Sequence, residues 1–192
     1  MRYSTVITGD ETTLLTTVEE QLNLPTGQDS NLLQLYIGAA RDYIEKFIDR
    51  GLIQQTVTLR LDYIPASYVI NAKLSPIVTT QNSTIGVEDV TIWEIGEDGT
   101  ETDISAMVVY LDTSTYPNRI YLDTEYELGD NPIGYKIIYQ VGQADITDID
   151  SIFQNAIILM VAEMYSNREN PSRTFETLAD KILRPYRVHY YE

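Results

Sequence analysis

Cysteine is absent from this chain, and histidine and tryptophan each occur once. Without cysteine the chain has no disulfide, no thiolate metal ligand and no cysteine nucleophile. The one histidine, His189, stands close to the end of the sequence, where side chains are usually solvated. A catalytic site would therefore depend on paired carboxylates, and nothing singles out one pair among the 29 acidic residues. We expect no enzymatic activity, no cofactor and no metal site.

Basic residues are scarce, since 13 lysines and arginines oppose 29 acidic residues and leave a formal net charge of −16. This charge opposes binding to DNA, RNA or anionic lipid, because affinity for phosphate groups rests on lysine and arginine. The need for solubility alone explains this acidic excess. An acidic wall would also benefit a conduit through which DNA slides. The first ten residues lack the apolar core of a signal peptide, so we expect synthesis in the cytoplasm.

Long hydrophobic runs are also missing, and the most apolar segment is residues 150–170. Its apolar residues recur at helical spacing and cover more than half of a helix circumference. The apolar part, 152–164, is too short to cross a bilayer and is interrupted by Gln154 and Asn155. The pattern predicts a buried helix that Asp150 or Ser151 caps, around which the other elements pack.

Helical patterns also occur near both ends of the chain. Thr17 and Glu20 match a capping box for a short first helix. A second helix is predicted over 32–48, starting at Asp29 or Ser30 and ending at Gly51 as a left-handed C-cap. Its small residues Gly38, Ala39 and Ala40 would let the helix at 150–170 approach closely. A last helix is predicted over 174–183, and Pro185 stops it.

Between these helices the apolar period changes from 3.6 to 2, which is typical of strands with one buried face. Tyr135, Ile137, Tyr139 and Val141 alternate most clearly. Asp98-Gly99 is a hairpin turn signal. The predicted strands are 57–61, 67–74, 87–95, 108–111, 119–122 and 135–141.

The order of elements predicts an α+β fold in which N- and C-terminal helices form a bundle and an antiparallel β part is inserted between them. We assign residues 1–54 and 146–184 to the helical bundle, 55–145 to the inserted β domain, and 185–192 to an extended C-terminal arm. In the arm, apolar and basic residues alternate as in a strand, which suits pairing with the sheet edge of a partner.

Several segments, taken in this order, resemble tailed-phage head–tail connector (adaptor) proteins. They are Thr17-Val-Glu-Glu, the run from Ile37 to Glu45, Gly51 to Asp62, Leu74-Ser-Pro-Ile-Val, Tyr139-Gln-Val-Gly, the run from Ala156 to Glu169, and Leu183-Arg-Pro-Tyr-Arg. The resemblance is one of order and type over nearly the whole chain, and no single motif is diagnostic.

The resemblance implies a structural subunit of the virion neck that forms a ring, dodecameric in the family, below the portal of the capsid. Such a ring binds the portal above and a tail or neck protein below. It leaves a channel through which the genome passes during ejection, with DNA as cargo rather than as a specific ligand. No membrane is involved.

Two sets of residues are candidates for contacts in such an assembly. The predicted portal-binding arm consists of Arg184, Tyr186, Arg187, Val188, Tyr190 and Tyr191. The predicted pore-lining residues are Asp42, Glu45 and Asp49, which we place on the exposed face of the first long helix.

Two other functions remain open from the sequence. A monomeric binding module could hold a small ligand or peptide on the β insertion, where many of the 15 tyrosines lie. A carboxylate-dependent hydrolase is a more distant third. A connector would be a large closed oligomer, whereas the binding module would be a monomer with a concave aromatic pocket, so light scattering separates the first two.

Overall fold

The computed structural model describes residues 2–78, 85–129, 132–167 and 177–188. Its helices are α1 (Leu15–Gln21), α2 (Ser30–Ile48), α3 (Ser151–Ser166) and α4 (Leu178–Leu183). Its strands are β1 (Arg2–Ile7), β2 (Gln55–Leu61), β3 (Val69–Asn71), β4 (Ile77–Val78), β5 (Val90–Ile95), β6 (Glu101–Asp103), β7 (Val108–Asp112), β8 (Arg119–Leu122) and β9 (Gly134–Val141). Helices together with antiparallel strands confirm the predicted α+β class.

The described chain divides into two compact units, each with its own core. The β unit takes the described residues of 1–8 and 54–142, and the helical unit takes those of 9–53 and 143–188. In the helical unit α2 packs against α3, as the sequence predicts. The buried apolar side chains that these two helices contribute to the core of the unit are Leu33, Ile37, Ala40, Ile44 and Ile48 from α2, and Phe153, Ala156, Ile157, Met160 and Val161 from α3.

Asp29 is the N-cap residue of α2, as predicted, but the way in which each end is capped differs from the prediction. Asp29 precedes the helix with a φ of 56°, and no hydrogen bond from its side chain caps the helix. At the other end Asp49, not Gly51, adopts the left-handed C-cap with a φ of 56°. Aspartate tolerates this conformation better than most residues, so the helix ends before the glycine is reached. Gly38 lies beside Glu11 and Ala39 is exposed, so only Ala40 of the predicted small ridge enters the core.

The start of α1 also differs from the prediction. Thr17 lies inside α1, and the N-cap residue is Leu14, so the predicted capping box at Thr17 is wrong. A capping box is formed instead at α4, where Thr177 accepts from the N–H of Asp180 at 2.9 Å and Asp180 accepts from that of Thr177 at 2.8 Å. The predicted start of this helix at 174 lies outside the described residues.

The β unit contains two antiparallel sheets around a common core. The first sheet has the strand order β1-β2-β9-β5-β6, with β4 also paired to β9, and the second has the order β3-β8-β7. Tyr135, Ile137, Tyr139 and Val141 of β9 are all buried, which confirms the predicted alternation. Gly99 has a φ of 82° and its N–H donates to the Gly96 carbonyl at 3.0 Å, which confirms the predicted turn between β5 and β6.

The first strand is a correction to the assignment of residues 1–54 to the helical bundle. β1 pairs with β2 over its whole length, from Arg2 opposite Arg60 to Ile7 opposite Gln55. The segment Arg-Tyr-Ser-Thr-Val-Ile is rich in residues that favour strands. Because all six side chains are exposed, it has no buried stripe from which a pairing partner could be predicted.

Candidate interaction surfaces

The C-terminal segment packs onto the helical unit as far as it is described. Arg184–Tyr186 forms a single 3-10 turn after α4. The ring of Tyr186 packs edge-on against Phe153, with centroids 5.3 Å apart. The Arg187 guanidinium lies 5.9 Å from the Phe47 ring centroid, and the N–H of Val188 donates to the carbonyl of Ile48 at 2.9 Å.

These contacts correct the expectation of an extended arm beginning at residue 185. Proline cannot continue an α-helix, but it is tolerated in the first turn of a 3-10 segment, so the chain folds back instead of leaving the unit. Arg184, Tyr186, Arg187 and Val188 therefore belong to the helical unit. The remaining predicted arm residues, Tyr190 and Tyr191, lie outside the described residues, as does His189.

The three predicted pore residues occupy three different environments. Asp42 is exposed and pairs with Lys46 one turn later, at 2.6 Å. Asp49 is half-buried at the C-cap of α2. Glu45 is only 3% exposed, so its placement on an exposed helix face is wrong. It lies one turn from Arg41 and Ile48, on the side of α2 that faces the core.

Glu45 and Arg41 are the centre of a buried polar network that the sequence analysis missed. Glu45 accepts from Nη1 of Arg41 at 2.7 Å and from the N–H of Leu52 at 2.7 Å. Arg41 also donates from Nε to Glu11 at 2.5 Å. Burial lowers the pKa of Arg41, but the charges of Glu45 and Glu11 outweigh it and hold that pKa above its ordinary value. The i, i+4 spacing of Arg41 and Glu45 was the only signal available in the sequence.

The first sheet carries opposite charges at its two edges. Arg2 on β1 and Arg60 on β2 are exposed and stand directly opposite each other. At the other edge the exposed acidic residues of the β5–β6 hairpin are Glu97, Asp98, Glu101 and Asp103. Lys136 of β9 forms an ion pair with Glu101 and lies 5.3 Å from the centre of the Trp93 ring.

An aromatic groove lies on the β unit, with a volume of about 300 Å³. Tyr63, which is 75% exposed, and Tyr135, which is buried, both line it. Burial, followed by the nearby charge of Glu94, raises the pKa of Tyr135. The other lining residues are Asp62, Ile64, Pro65, Ala66, Tyr68, Leu128 and Pro132. The groove offers aromatic faces and few charged groups, which suits an apolar or proline-containing segment.

Metal-ligand clusters and membrane-spanning helices were both sought among the described residues. No group of three or more histidine or acidic side chains among them could hold a metal ion. Asp145, in the acidic run before α3, accepts from Thr147 and Thr13 and so caps a turn, and these hydrogen bonds lower its pKa. No described helix is long and apolar enough to span a bilayer.

Comparison with known proteins identifies the fold through solved structures alone. No family model and no curated protein matches the chain. A chain in the neck of an empty gene transfer agent particle, computed with C6 symmetry, has a TM-score of 0.78 at 19% identity. Chains in the virion of the native particle and in its neck computed with C12 symmetry have TM-scores of 0.75 and 0.73 at 18% identity. Each likeness covers 100% of this chain and 98% of the other, so this protein has, over its whole length, the fold of a chain in those particles.

Proposed function

We propose that this protein is a structural subunit of the neck of a tailed-phage-like particle, where it acts as a head–tail connector. One observation carries the proposal: the fold of the whole chain matches chains in necks of gene transfer agent particles. A shared fold alone does not imply a shared function. The order of segments that resembles connector proteins supports the same function independently.

The connector forms a ring, which we propose to be dodecameric. The similar neck chains belong to assemblies computed with C6 and C12 symmetry, and both symmetries are compatible with twelve subunits. The ring binds the portal on one side and a tail or neck protein on the other. The genome passes through its channel during ejection. The net charge of −16 suits this role, because an acidic wall does not retain a polyanion.

The ring is tested by light scattering of the purified protein over a range of concentrations, combined with negative-stain electron microscopy. We expect a closed oligomer of uniform mass with a central opening. A monomer at every concentration, with no ring in the images, would contradict the proposal. Particles assembled without the protein should contain packaged heads that lack tails.

The aromatic groove favours a second function, a binding module for a peptide. Proline-rich segments adopt an extended helix that packs between aromatic side chains, and Tyr63 and Tyr68 both line this groove. Isothermal titration with proline-rich peptides distinguishes the two functions. Binding by a monomer, lost in Tyr63→Ala and retained in Tyr110→Ala, would favour the module, because Tyr110 is also exposed but lies outside the groove.

A further inference from the structure

The aromatic groove of the β unit combines three tyrosines with a carboxylate. Tyr63, Tyr68 and Tyr135 all line it, and so does Asp62, which is exposed. The face of an aromatic ring carries partial negative charge and attracts a cation that lies within about 6 Å of the ring centroid. A carboxylate among the lining residues adds a full negative charge. Both features favour a cationic ligand over a neutral one.

Glu94 supplies a second carboxylate close to this groove. It stands directly opposite Tyr135 in the pairing of β5 with β9, and opposed residues of an antiparallel pair point to the same face of the sheet. Burial raises the pKa of Tyr135, and the charge of Glu94 raises that pKa further, so the two groups interact. Glu94 is only 9% exposed, and a nearby cation stabilises a buried carboxylate.

The loop before β9 connects Glu94 to the lining of the groove. Leu128 is one of the lining residues, and the N–H of the next residue, Gly129, donates to Glu94 at 3.1 Å. A Cβ at position 129 would lie 2.2 Å from Oε1 of Glu94, so any other residue there would collide with the carboxylate. The glycine therefore lets the backbone approach Glu94 and hold its carboxylate in place.

Main-chain hydrogen bonds hold Tyr68 in position. Its φ is 54°, a conformation that is uncommon for an aromatic residue. Its N–H donates to the Pro65 carbonyl at 2.8 Å, and its own carbonyl accepts from the N–H of Leu122 at 2.9 Å. Strained backbone of this kind clusters at ligand-binding sites, and a site that is already fixed loses little entropy when a ligand binds.

We propose that the groove binds an arginine side chain from an extended segment of a partner protein. A guanidinium is planar, stacks on aromatic rings and pairs with carboxylates, a combination that an ammonium group matches poorly. The volume of about 300 Å³ is at the lower end of the range for ligand sites, which suits one long side chain. Prolines on either side of the arginine keep such a segment extended.

This inference goes beyond the neck function and does not depend on ring formation. It also narrows the peptide considered above to a basic one. The negative charge beside the tyrosines, rather than their apolar surface alone, then selects the partner.

The test compares two peptides that differ in charge and have nearly the same shape. The first is an acetylated and amidated pentapeptide, proline-proline-arginine-proline-proline. The second has citrulline, which is neutral, in place of arginine. Isothermal titration of the intact protein measures both dissociation constants. We expect the arginine peptide to bind about tenfold more tightly, and added salt to reduce the difference.

Substitutions at Tyr63 separate the aromatic face from apolar bulk. Tyr63→Leu keeps a large apolar side chain but removes the ring, so it should abolish most of the preference for the arginine peptide. Tyr63→Phe keeps the ring and should keep the preference. Because Tyr63 is 75% exposed, both variants should fold, which circular dichroism and thermal melting check.

Substitutions of the carboxylates test the charge. Asp62→Asn should reduce the preference for arginine, whereas Glu97→Gln, which also removes an exposed carboxylate from the β unit, should leave it unchanged. Glu94→Gln keeps an acceptor for the Gly129 N–H and should also reduce the preference. If Glu94→Gln fails to fold, the exposed Asp62 still provides the test.

Equal affinities for the two peptides would overturn the inference and indicate a neutral, proline-containing occupant. A preference for arginine that persists in both Tyr63→Leu and Asp62→Asn would also overturn it, because the peptide would then bind elsewhere. Failure of both peptides to bind would overturn it too, and loss of rings in Tyr63→Leu would then identify the groove as a contact between copies. Light scattering tests the ring separately, so wild-type rings that do not distinguish the peptides would leave the neck function standing.

Discussion

Arg41 and Glu45 form a buried ion pair within one turn of α2, with Nη1 of Arg41 2.7 Å from Oε2 of Glu45. Their exposed fractions are 5% and 3%. The second oxygen of Glu45 accepts from the N–H groups of Leu52 and Ile53, in the chain that leaves the helix for β2. The pair therefore holds the end of α2 to the following segment, as well as to Glu11.

Removing one partner of this pair should be strongly destabilising. Glu45→Ala leaves the Arg41 cation buried with one fewer carboxylate and leaves two N–H groups without their acceptor. We expect a loss of about 3–5 kcal/mol in the free energy of unfolding, measured by urea denaturation. The matched control is Asp42→Ala, which removes an exposed carboxylate from the same helix and should cost less than about 1 kcal/mol. Equal losses in the two variants would show that the network contributes little.

The core position of α3 is tested by Ile157→Asp. Ile157 is fully buried between α2 and the other helices, and aspartate there is an unpaired charge in an apolar environment. The cost of several kcal/mol is a large part of a total stability of about 5–15 kcal/mol. We expect an insoluble or unfolded protein, assessed by solubility and thermal melting. Asn155→Asp, on the exposed side of α3, is the control and should melt close to the wild type.

The C-terminal residues are tested by two truncations. Deleting residues 185–192 removes the contact of Tyr186 with Phe153 and the hydrogen bond from Val188 to Ile48. Each contributes about 0.5–1.5 kcal/mol, so the melting temperature should fall. Deleting only 189–192 keeps both contacts, so this variant should melt at a higher temperature than the longer deletion.

The shorter truncation also tests whether Tyr190 and Tyr191 bind the portal, as the sequence predicts. We expect the protein lacking 189–192 to fold and form rings but to bind portal poorly in a pull-down, giving filled heads without tails in complementation. Normal joining of heads to tails by this variant would exclude the last four residues as the portal contact. The aromatic groove and the exposed face of the first sheet would then be tested next.

The acidic conduit is tested at Asp42 and Asp49, with Glu45 excluded because it is buried. If both aspartates face the channel, a ring with Asp42→Asn and Asp49→Asn should retain DNA at low salt, and the retention should fade as salt is added. Electrophoretic mobility of a short duplex measures it. A ring with Asp98→Asn and Asp123→Asn has the same net charge and is the control. Equal retention by the two rings would place Asp42 and Asp49 elsewhere on the surface.

The spacing of apolar residues in the sequence predicted those helices and strands that bury one face or all of their surface. The alternation in β9 and the apolar run in α3 each leave a single way to hide the side chains from water, so both elements are where the sequence predicts them. The turn at Gly99 follows from local backbone chemistry in the same way. These features depend on residues close together in the chain, which is why the sequence alone determined them.

Tertiary contacts decided the remaining features. β1 has no buried stripe, and its partner β2 lies about fifty residues further along, so only the folded sheet shows the pairing. From the sequence, Glu45 is indistinguishable from a surface charge. In the folded protein it is buried and accepts hydrogen bonds from Arg41 and from the N–H groups of Leu52 and Ile53. The sequence pattern of Tyr186 and Val188 predicts an extended arm. In the folded protein Tyr186 packs against Phe153, and Val188 donates a hydrogen bond to Ile48. In each case the energy of the residue depends on a partner that sequence spacing does not reveal, because desolvation and hydrogen bonding are settled only when distant segments meet.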